Sequence, residues 1–380
     1  MKKVLYIFDA LNRGGAEIST LQISAMMKNW TPVILSIFKG TELKKDFEDK
    51  GIKVYCLDND HRFAIIKIRK EIQRIIDIEK PDILHSNLFV ADQFARWLGP
   101  KNKIPVINSF INDSYSPERR ELLSAKNRFT LGVYKFIDKL LAPRVTQFIS
   151  LTKAIIYNNS NALKIDPAKV KVISRGRNLE ELLQKIDKDK VSELKKQYGS
   201  GTIILTVSRL LIRKGYLEAI KALKIVIEVY PETKYLIAGG GHDQNKITRL
   251  IAELNLDKNI FLLGSRIDVP TLLEAADIFL FPSHYEGQGG ALIEAMLMKK
   301  RIIATRIPVI EESLQDNYSA KLFDYRDIDD LSQQIIWAIE NPLNMEKFAV
   351  NAKNVAEENF RIEKVANEHE KLYDDVLHSY

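Results

Sequence analysis

Residues Phe281 to Glu312 read FPSHYEGQGGALIEAMLMKKRIIATRIPVIEE. The stretch is entered through an apolar run, DIFLF at 277–281, which has the composition of a buried strand. A Gly-rich loop follows, and a helix is expected to open at about Gly290. Two glutamates bracket the turn, Glu286 in the loop and Glu294 in the helix. The neighbours of Glu294 three and four positions away are Gly290, Ala291, Leu297 and Met298, all small or apolar, so Glu294 does not lie on a solvated face. A charged carboxylate left there without a hydrogen bond is strongly disfavoured. The position calls for a polar group to meet it.

Outward from this stretch the second half of the chain keeps one rhythm. Strands are expected at 203–207, 234–238, 260–263 and 301–305, with helices at 217–227, 269–275, 331–339 and 362–377. The first half repeats the plan, with strands at 4–8, 33–37, 54–57, 83–85, 105–110, 147–151 and 170–173. Helices fall between them, among them 64–80 and 128–141. Continuous apolar strands alternating with helices are the mark of a parallel sheet covered on both faces. The segment SRGRNLEELLQKIDKDK, from Ser174, is polar and strandless and reads as a junction. The expected fold is therefore α/β, two Rossmann-like doubly wound domains facing a central cleft. The domains would run 1–178 and 179–361, with a C-terminal helix at 362–380 packing back toward the first.

At 380 residues the chain exceeds one ordinary core, which fits two domains. Its hydrophobic content of 46% and charged content of 28% are those of a soluble globular protein. The single cysteine, Cys56, excludes an internal disulfide and suits a reducing compartment. The opening MKKVLYIFDALNRGG is broken by Asp9 and Asn12 and reads as a first strand rather than a signal peptide; no run of 18 apolar residues exists. A cytoplasmic location is expected.

The formal charge of +7 is unevenly spread. The segment 61–80 carries +3 and 118–144 carries +4, which together equal the whole excess. Both read as amphipathic helices. In the first, Ile65, Ile68, Ile72 and Ile75/Ile76 form a stripe; in the second, Phe129, Val133, Phe136/Ile137 and Leu140 do, opposite Arg128, Lys135 and Lys139. Each admits two readings: a packed helix with a solvated basic face, or a helix that meets an anionic membrane surface or acceptor. The second reading puts the protein peripherally at the inner face of the plasma membrane. Nucleic acid is not expected, because the basic segments lack the motifs of the usual readers.

Other motifs carry chemistry. NRGGAE (12–17) is a Gly-Gly turn ahead of the first helix, where backbone can approach a ligand and helix amides attract phosphate; the alternative is a tight turn. Arg209 and Lys214 in SRLLIRKG follow a strand and precede a helix, a placement suited to a pyrophosphate. Gly239-Gly240-Gly241 follows a strand, but no glycine lies three positions beyond, so the dinucleotide fingerprint is absent. Asp58-Asn59-Asp60 matches a short metal-binding pattern and is read as a polar turn; no metal is expected. The six histidines show no ligand spacing; His85 ends a strand where substrate contact is one reading.

With these residues in place the chain resembles the retaining, family 4 type (group 1) glycosyltransferases of the GT-B fold. The resemblance rests on Glu286-x7-Glu294 in EGQGGALIEAM, on VSRLLIRKGYLEAI, AGGG and FLLGSRID, and on GGAE near the start. It covers almost the whole chain, with the C-terminal half more specific. It implies a donor domain after the junction and an acceptor domain before it. Glu294 would hold the ribose, while Arg209 and Lys214 would neutralise the diphosphate leaving group. Gly289, Gly290 and Ala291 would offer amides to phosphate or sugar, alongside Gly240. Glu286 would contact the transferred sugar, Gly15 would close over the donor, and the base would lie against Arg266-Ile267. Glu286, Arg209 and Lys214 are thus the expected catalytic group, and His85 and Asn112 the acceptor-side residues. No cofactor is required; the donor would be a UDP- or GDP-sugar and the acceptor a glycan or lipid-linked glycan.

Two departures from the resemblance stand out. The place where many relatives carry a histidine is Ile111 or Asn112 here, and the junction reads Ser174-Arg175-Gly176-Arg177-Asn178, where the two arginines would bind an anion or solvate the hinge. A nucleotide-sugar epimerase of the same fold, or a non-catalytic nucleotide-sugar-binding protein, is the alternative function.

Overall fold

The structure, a computed structural model, describes residues 1–61 and 64–380. It divides into one unit of residues 1–177 and 360–380 and another of residues 178–359. In chain order the first unit runs β1 (Lys2–Phe8), α1 (Gly15–Met26), β2 (Trp30–Phe38), α2 (Lys44–Asp49), β3 (Lys53–Asn59), α3 (Ile65–Glu79) and β4 (Ile83–Ser86). It continues α4 (Phe89–Lys101), β5 (Val106–Phe110), α5 (Pro117–Glu121), α6 (Ala125–Leu141), β6 (Gln147–Ser150), α7 (Ala154–Leu163) and β7 (Val170–Val172).

The seven strands form one parallel sheet in the order β3-β2-β1-β4-β5-β6-β7. Val4, Leu5, Tyr6, Ile7 and Phe8 are all buried, so β1 faces core on both sides, as a central parallel strand must. One face, carrying Leu5, Ile7 and Leu35, packs on Ile68, Ile72, Ile75 and Ile76 of α3 and on Ala91, Phe94 and Leu98 of α4. The other packs on Ile23 of α1, Phe47 of α2 and, from the far end of the chain, Ile362, Val365 and Tyr373. Those last residues belong to α17 (Ile362–Ser379). Glu370 fixes it by accepting hydrogen bonds from the backbone N–H groups of Lys28, Asn29 and Trp30.

The second unit runs α8 (Leu179–Gln184), α9 (Lys188–Tyr198), β8 (Ile203–Val207), α10 (Tyr216–Val229), β9 (Lys234–Ala238), α11 (Gln244–Glu253), β10 (Ile260–Gly264) and α12 (Val269–Ala275). Then come β11 (Ile278–Phe281), α13 (Gly290–Leu297), β12 (Arg301–Thr305), α14 (Pro308–Glu311), β13 (Lys321–Phe323), α15 (Ile328–Glu340) and α16 (Pro342–Asn359). Its six strands are again parallel, in the order β10-β9-β8-β11-β12-β13. The order reverses direction between β8 and β11, which leaves a crevice beyond their C-terminal ends; ligands of open α/β sheets bind at such points.

The doubly wound α/β fold expected from the sequence is present in both units. Two expectations need correction. Arg175 and Arg177 do not solvate a hinge: both are buried, and Arg177 donates to the Ser19 hydroxyl at 3.1 Å while its backbone pairs with Phe360 and Ile362. The apolar stripe of the second basic helix does not pack: Phe129, Val133, Phe136 and Leu140 of α6 are exposed. Arg62, counted in the basic segment 61–80, lies outside the described residues.

Candidate active site

The site is built by two loops that leave neighbouring strands of the second sheet. The loop after β8 carries Ser208, Arg209 and a short 3-10 turn, Ile212–Lys214, before Gly215 starts α10. Gly215 has φ +74, and its Cα sits against the Pro282 carbonyl, so no side chain fits there. That approach brings in the loop after β11, Pro282 to Gly289. The two are joined where the His284 N–H donates to the Arg213 carbonyl at 2.9 Å. Gly289, with φ +86 against the Phe281 ring, turns the second loop into α13.

Across this join Lys214 Nζ is ion-paired with Glu286 Oε1, 72 residues away, and both side chains are buried. Burial pushes the Lys214 ammonium down to about 8, with Glu286 pulling the other way and Arg213 and Arg209 adding to the fall. Burial pushes the Glu286 carboxyl up, but the charges of Lys214 and Arg213 outweigh it and hold the group below the usual carboxylate range. Arg213 lies over the Tyr285 ring, 4.9 Å from its centroid. Three cations, Arg209, Arg213 and Lys214, thus share one loop, with the Glu286 carboxylate against Lys214 and that of Asp243 accepting from the Ile212 N–H. Coulombic repulsion within such a group is relieved by an anion bearing more than one negative charge.

The remaining expected residues fall around the same end of the sheet or on other turns of this unit. Glu294 is half-buried in the second turn of α13, below Gly290 and Ala291. Gly240 follows β9, with the Ser265 hydroxyl facing its Cα. Arg266 makes a two-pronged ion pair with Asp268, at 2.8 and 2.6 Å, and Lys190 also reaches Asp268. Beside it Ile267 projects, 81% exposed. An apolar side chain held out by an anchored neighbour offers a planar base a surface to lie on.

Sequence reasoning missed two features of this unit. Arg213 lies between the two cations that were singled out. His284, buried, has its Nε2 3.2 Å from Glu218 Oε2 on α10, so a histidine–carboxylate contact, beside the Lys214–Glu286 pair, links the Glu286 loop to that helix. Nothing in the spacing of residues 218 and 284 signals it.

In the first unit, Gly15 opens α1 with the Arg175 guanidinium against its Cα. A narrow pocket of ≈ 30 Å³ lies beside it, lined among others by Ser19, His85, Asn87, Ser109, Arg175 and His369. His85 is fully engaged: Nδ1 shares a hydrogen bond with the Tyr373 hydroxyl at 2.6 Å and Nε2 with that of Ser109 at 2.7 Å. Burial, with His369 nearby, holds it well below the ordinary histidine value and therefore neutral. Asn112 is half-buried, and its carbonyl accepts from the Asn159 side chain at 3.1 Å. Asp60 of the short acidic pattern is ion-paired with Lys39 at 2.7 Å.

Two parallel-sheet α/β units of this topology define the GT-B class. The fold matches crystal structures of Anabaena HepE in complex with UDP and glucose (TM-score 0.85, 20% identity, 98% of this chain and 100% of that one) and of TarM (TM-score 0.76, 16% identity, 98% and 99%). Residues 13–181 match the family described as Glycosyltransferase Family 4 and residues 187–355 the one described as Glycosyl transferases group 1, so the two matches span nearly the whole chain. The chain belongs to this glycosyltransferase family and is an enzyme of that kind.

Among its relatives is the Escherichia coli UDP-Gal:alpha-D-GlcNAc-diphosphoundecaprenol alpha-1,3-galactosyltransferase, 24% identical over 96% of this chain and 94% of that protein. Another is the Campylobacter jejuni N-acetylgalactosamine-N,N'-diacetylbacillosaminyl-diphospho-undecaprenol 4-alpha-N-acetylgalactosaminyltransferase, 27% identical over 80% and 81%. A capsular polysaccharide biosynthesis glycosyltransferase of Staphylococcus aureus, CapH, is 26% identical over 78% and 79%.

Proposed function

We propose that the protein transfers a hexose-type sugar from a nucleotide-diphosphate sugar, UDP- or GDP-linked, to a glycan or lipid-linked glycan acceptor in surface-polysaccharide synthesis, with retention at the anomeric carbon. The observation that carries this reading is the loop with Arg209, Arg213 and Lys214 around Glu286. Breaking the bond between the anomeric carbon and the phosphate leaves an oxygen whose charge grows in the transition state, and fixed cations there lower the barrier. The acceptor hydroxyl adds to the anomeric carbon on the face the phosphate leaves, and its proton passes to the departing phosphate. Two relatives named for α-linked products support retention, and these with the capsular one support the choice of acceptor.

In this reading Lys214 and Glu286 exchange partners when donor arrives. The diphosphate takes the place of the carboxylate beside Lys214, and Glu286 turns to the hydroxyls of the sugar. Glu294 accepts from the ribose hydroxyls, Gly289, Gly290 and Ala291 present amides, Gly240 allows close approach, and the base rests on Arg266 and Ile267. The first unit, with His85 and Asn112, serves the acceptor, and Gly15 keeps the donor-side role that the resemblance gives it. The reading includes a peripheral position at an anionic membrane, where a lipid-linked acceptor is found.

The test is release of nucleoside diphosphate from a panel of UDP- and GDP-sugars, with and without an undecaprenyl-diphosphate-linked sugar. Acceptor-dependent release with an α-linked product is expected. Epimerised sugar formed without acceptor would overturn the reading in favour of an epimerase, and binding without turnover in favour of a binding protein. In the same assay Glu294→Ala should weaken donor affinity by about 1.5–3 kcal/mol, the loss of a charged hydrogen bond. Unchanged affinity in calorimetry removes Glu294 from the ribose.

A further inference from the structure

Helix α6 is turned inside out. Phe129, Val133, Phe136 and Leu140, four positions that share one face at helical spacing, are 76%, 44%, 63% and 62% exposed. The only buried residue of the helix is its aspartate, Asp138. The inward face sets half-buried Leu131, Tyr134 and Leu141 around a polar anchor: Arg96 Nη1 of α4 donates to Asp138 Oδ1 at 2.9 Å, and the Tyr115 hydroxyl donates to Asp138 Oδ2. Arg96 is itself fixed by Asn108 at 2.6 Å. Beside this anchor Tyr134 stacks on Phe89, 5.3 Å between ring centroids.

An apolar stripe four side chains long on a soluble surface is a surface built for a partner. Its chemistry is given by what borders it. Lys126, Lys135 and Lys139 stand exposed on the flanks, and the one carboxylate of the helix faces inward. A second copy docking stripe to stripe would bring lysine onto lysine. An apolar stripe edged by cations matches the boundary between acyl chains and anionic headgroups, with the helix lying in the plane of the interface.

We propose that α6, rather than α3, is the membrane-docking element: Phe129 and Phe136 enter the acyl region of an anionic bilayer while Lys126, Lys135 and Lys139 meet its headgroups. The proposal rests on the peripheral-membrane reading given above and names the segment that performs it. Helix α3 cannot do the same with its stripe, because Ile68, Ile72, Ile75 and Ile76 are spent in the sheet core.

The test is cosedimentation of the full-length protein with vesicles of phosphatidylcholine alone and of phosphatidylcholine with phosphatidylglycerol. The wild type should bind the anionic vesicles in a salt-sensitive way. Replacing both Phe129→Ser and Phe136→Ser should lower that partition about a hundredfold, about tenfold for each half-inserted ring. Lys135→Gln with Lys139→Gln should lower it about twentyfold and remove most of the salt dependence. A UDP-sugar thermal shift, unchanged in both variants, reports that the fold and the donor site are intact.

If the wild type ignores anionic vesicles, the peripheral-membrane reading falls and this proposal with it. If the wild type binds and the double-serine variant binds equally, the reading stands and α6 is the wrong segment. A wild-type dimer that the double-serine variant abolishes would also overturn the proposal, by making a second copy the occupant.

Discussion

Helices α3 and α6 look like twins in the sequence and are opposites in the molecule. Both are basic and amphipathic, and both carry a stripe of large apolar residues at helical spacing. In α3 the stripe from Ile68 to Ile76 is buried against Leu5, Ile7 and Leu35; Ile65, Ile66 and Ile78, toward the two ends of the helix, are left outside. In α6 the stripe is outside and a buried ion pair holds the helix from behind. Helical periodicity measures how apolar residues cluster around an axis. It carries no information on which way the axis is rolled, and the roll is set by what the neighbouring helix offers. For α3 that is an apolar sheet; for α6 it is Arg96, a cation that cannot be left alone in a core.

The comparison can be broken at its strongest point first. Removing the anchor with Asp138→Ala takes from buried Arg96 the nearer of its two carboxylates, leaving Asp92 at 3.8 Å, and a loss of about 3 kcal/mol in urea unfolding is expected. A change below about 1 kcal/mol would mean that α6 is not held by the pair. Next, one residue from each stripe separates the two helices: Ile72→Ala in α3 should lose about 2–4 kcal/mol through the cavity it leaves. The matching Phe136→Ala in α6 should stay within about 0.5 kcal/mol, as an exposed residue does. Equal losses would show that both stripes are packed.

The last test is electrostatic. Asp92 lies within 3.8 Å of Arg96, and burial pushes its carboxyl up to about 7, with Arg96 opposing and Asp138 adding to the rise. Its folded value lies above its unfolded one, so the stability it contributes is full at acid pH and is lost as pH rises toward 7. Stability of the wild type should therefore fall by about 3 kcal/mol between about pH 4 and 7 relative to Asp92→Asn. Parallel pH profiles would mean that Asp92 is ionised throughout.

The same reasoning explains what the residues revealed and what they withheld elsewhere. The strands were legible because runs such as VLYIF and IFLF have no polar position to expose, which leaves a strand buried on both faces as their natural home. The loops after β8 and β11 were legible because cations and glycines stood where strands end. The pairing of Lys214 with Glu286 was not, since 72 residues separate them and only the fold brings them together. The short β13 and the weakly patterned α16 went unread for want of signal, three residues in one case and mixed polarity in the other. At the junction two arginines admitted an anion or a solvated hinge; both are buried, Arg177 with its backbone paired to Phe360 and Ile362 and Arg175 against Gly15.

That last segment carries a consequence for how the molecule is made. Helix α17 completes the first unit, closing over Tyr6 and Trp30 with Tyr373 and Glu370. Yet it leaves the ribosome after every residue of the second unit. The second unit can fold as soon as it emerges, while one face of the first sheet stays open until α17 has been made. Of the two units, the one begun first is the last to shut. A chaperone that shields apolar surface during translation would be needed there longest, over the half that was made first.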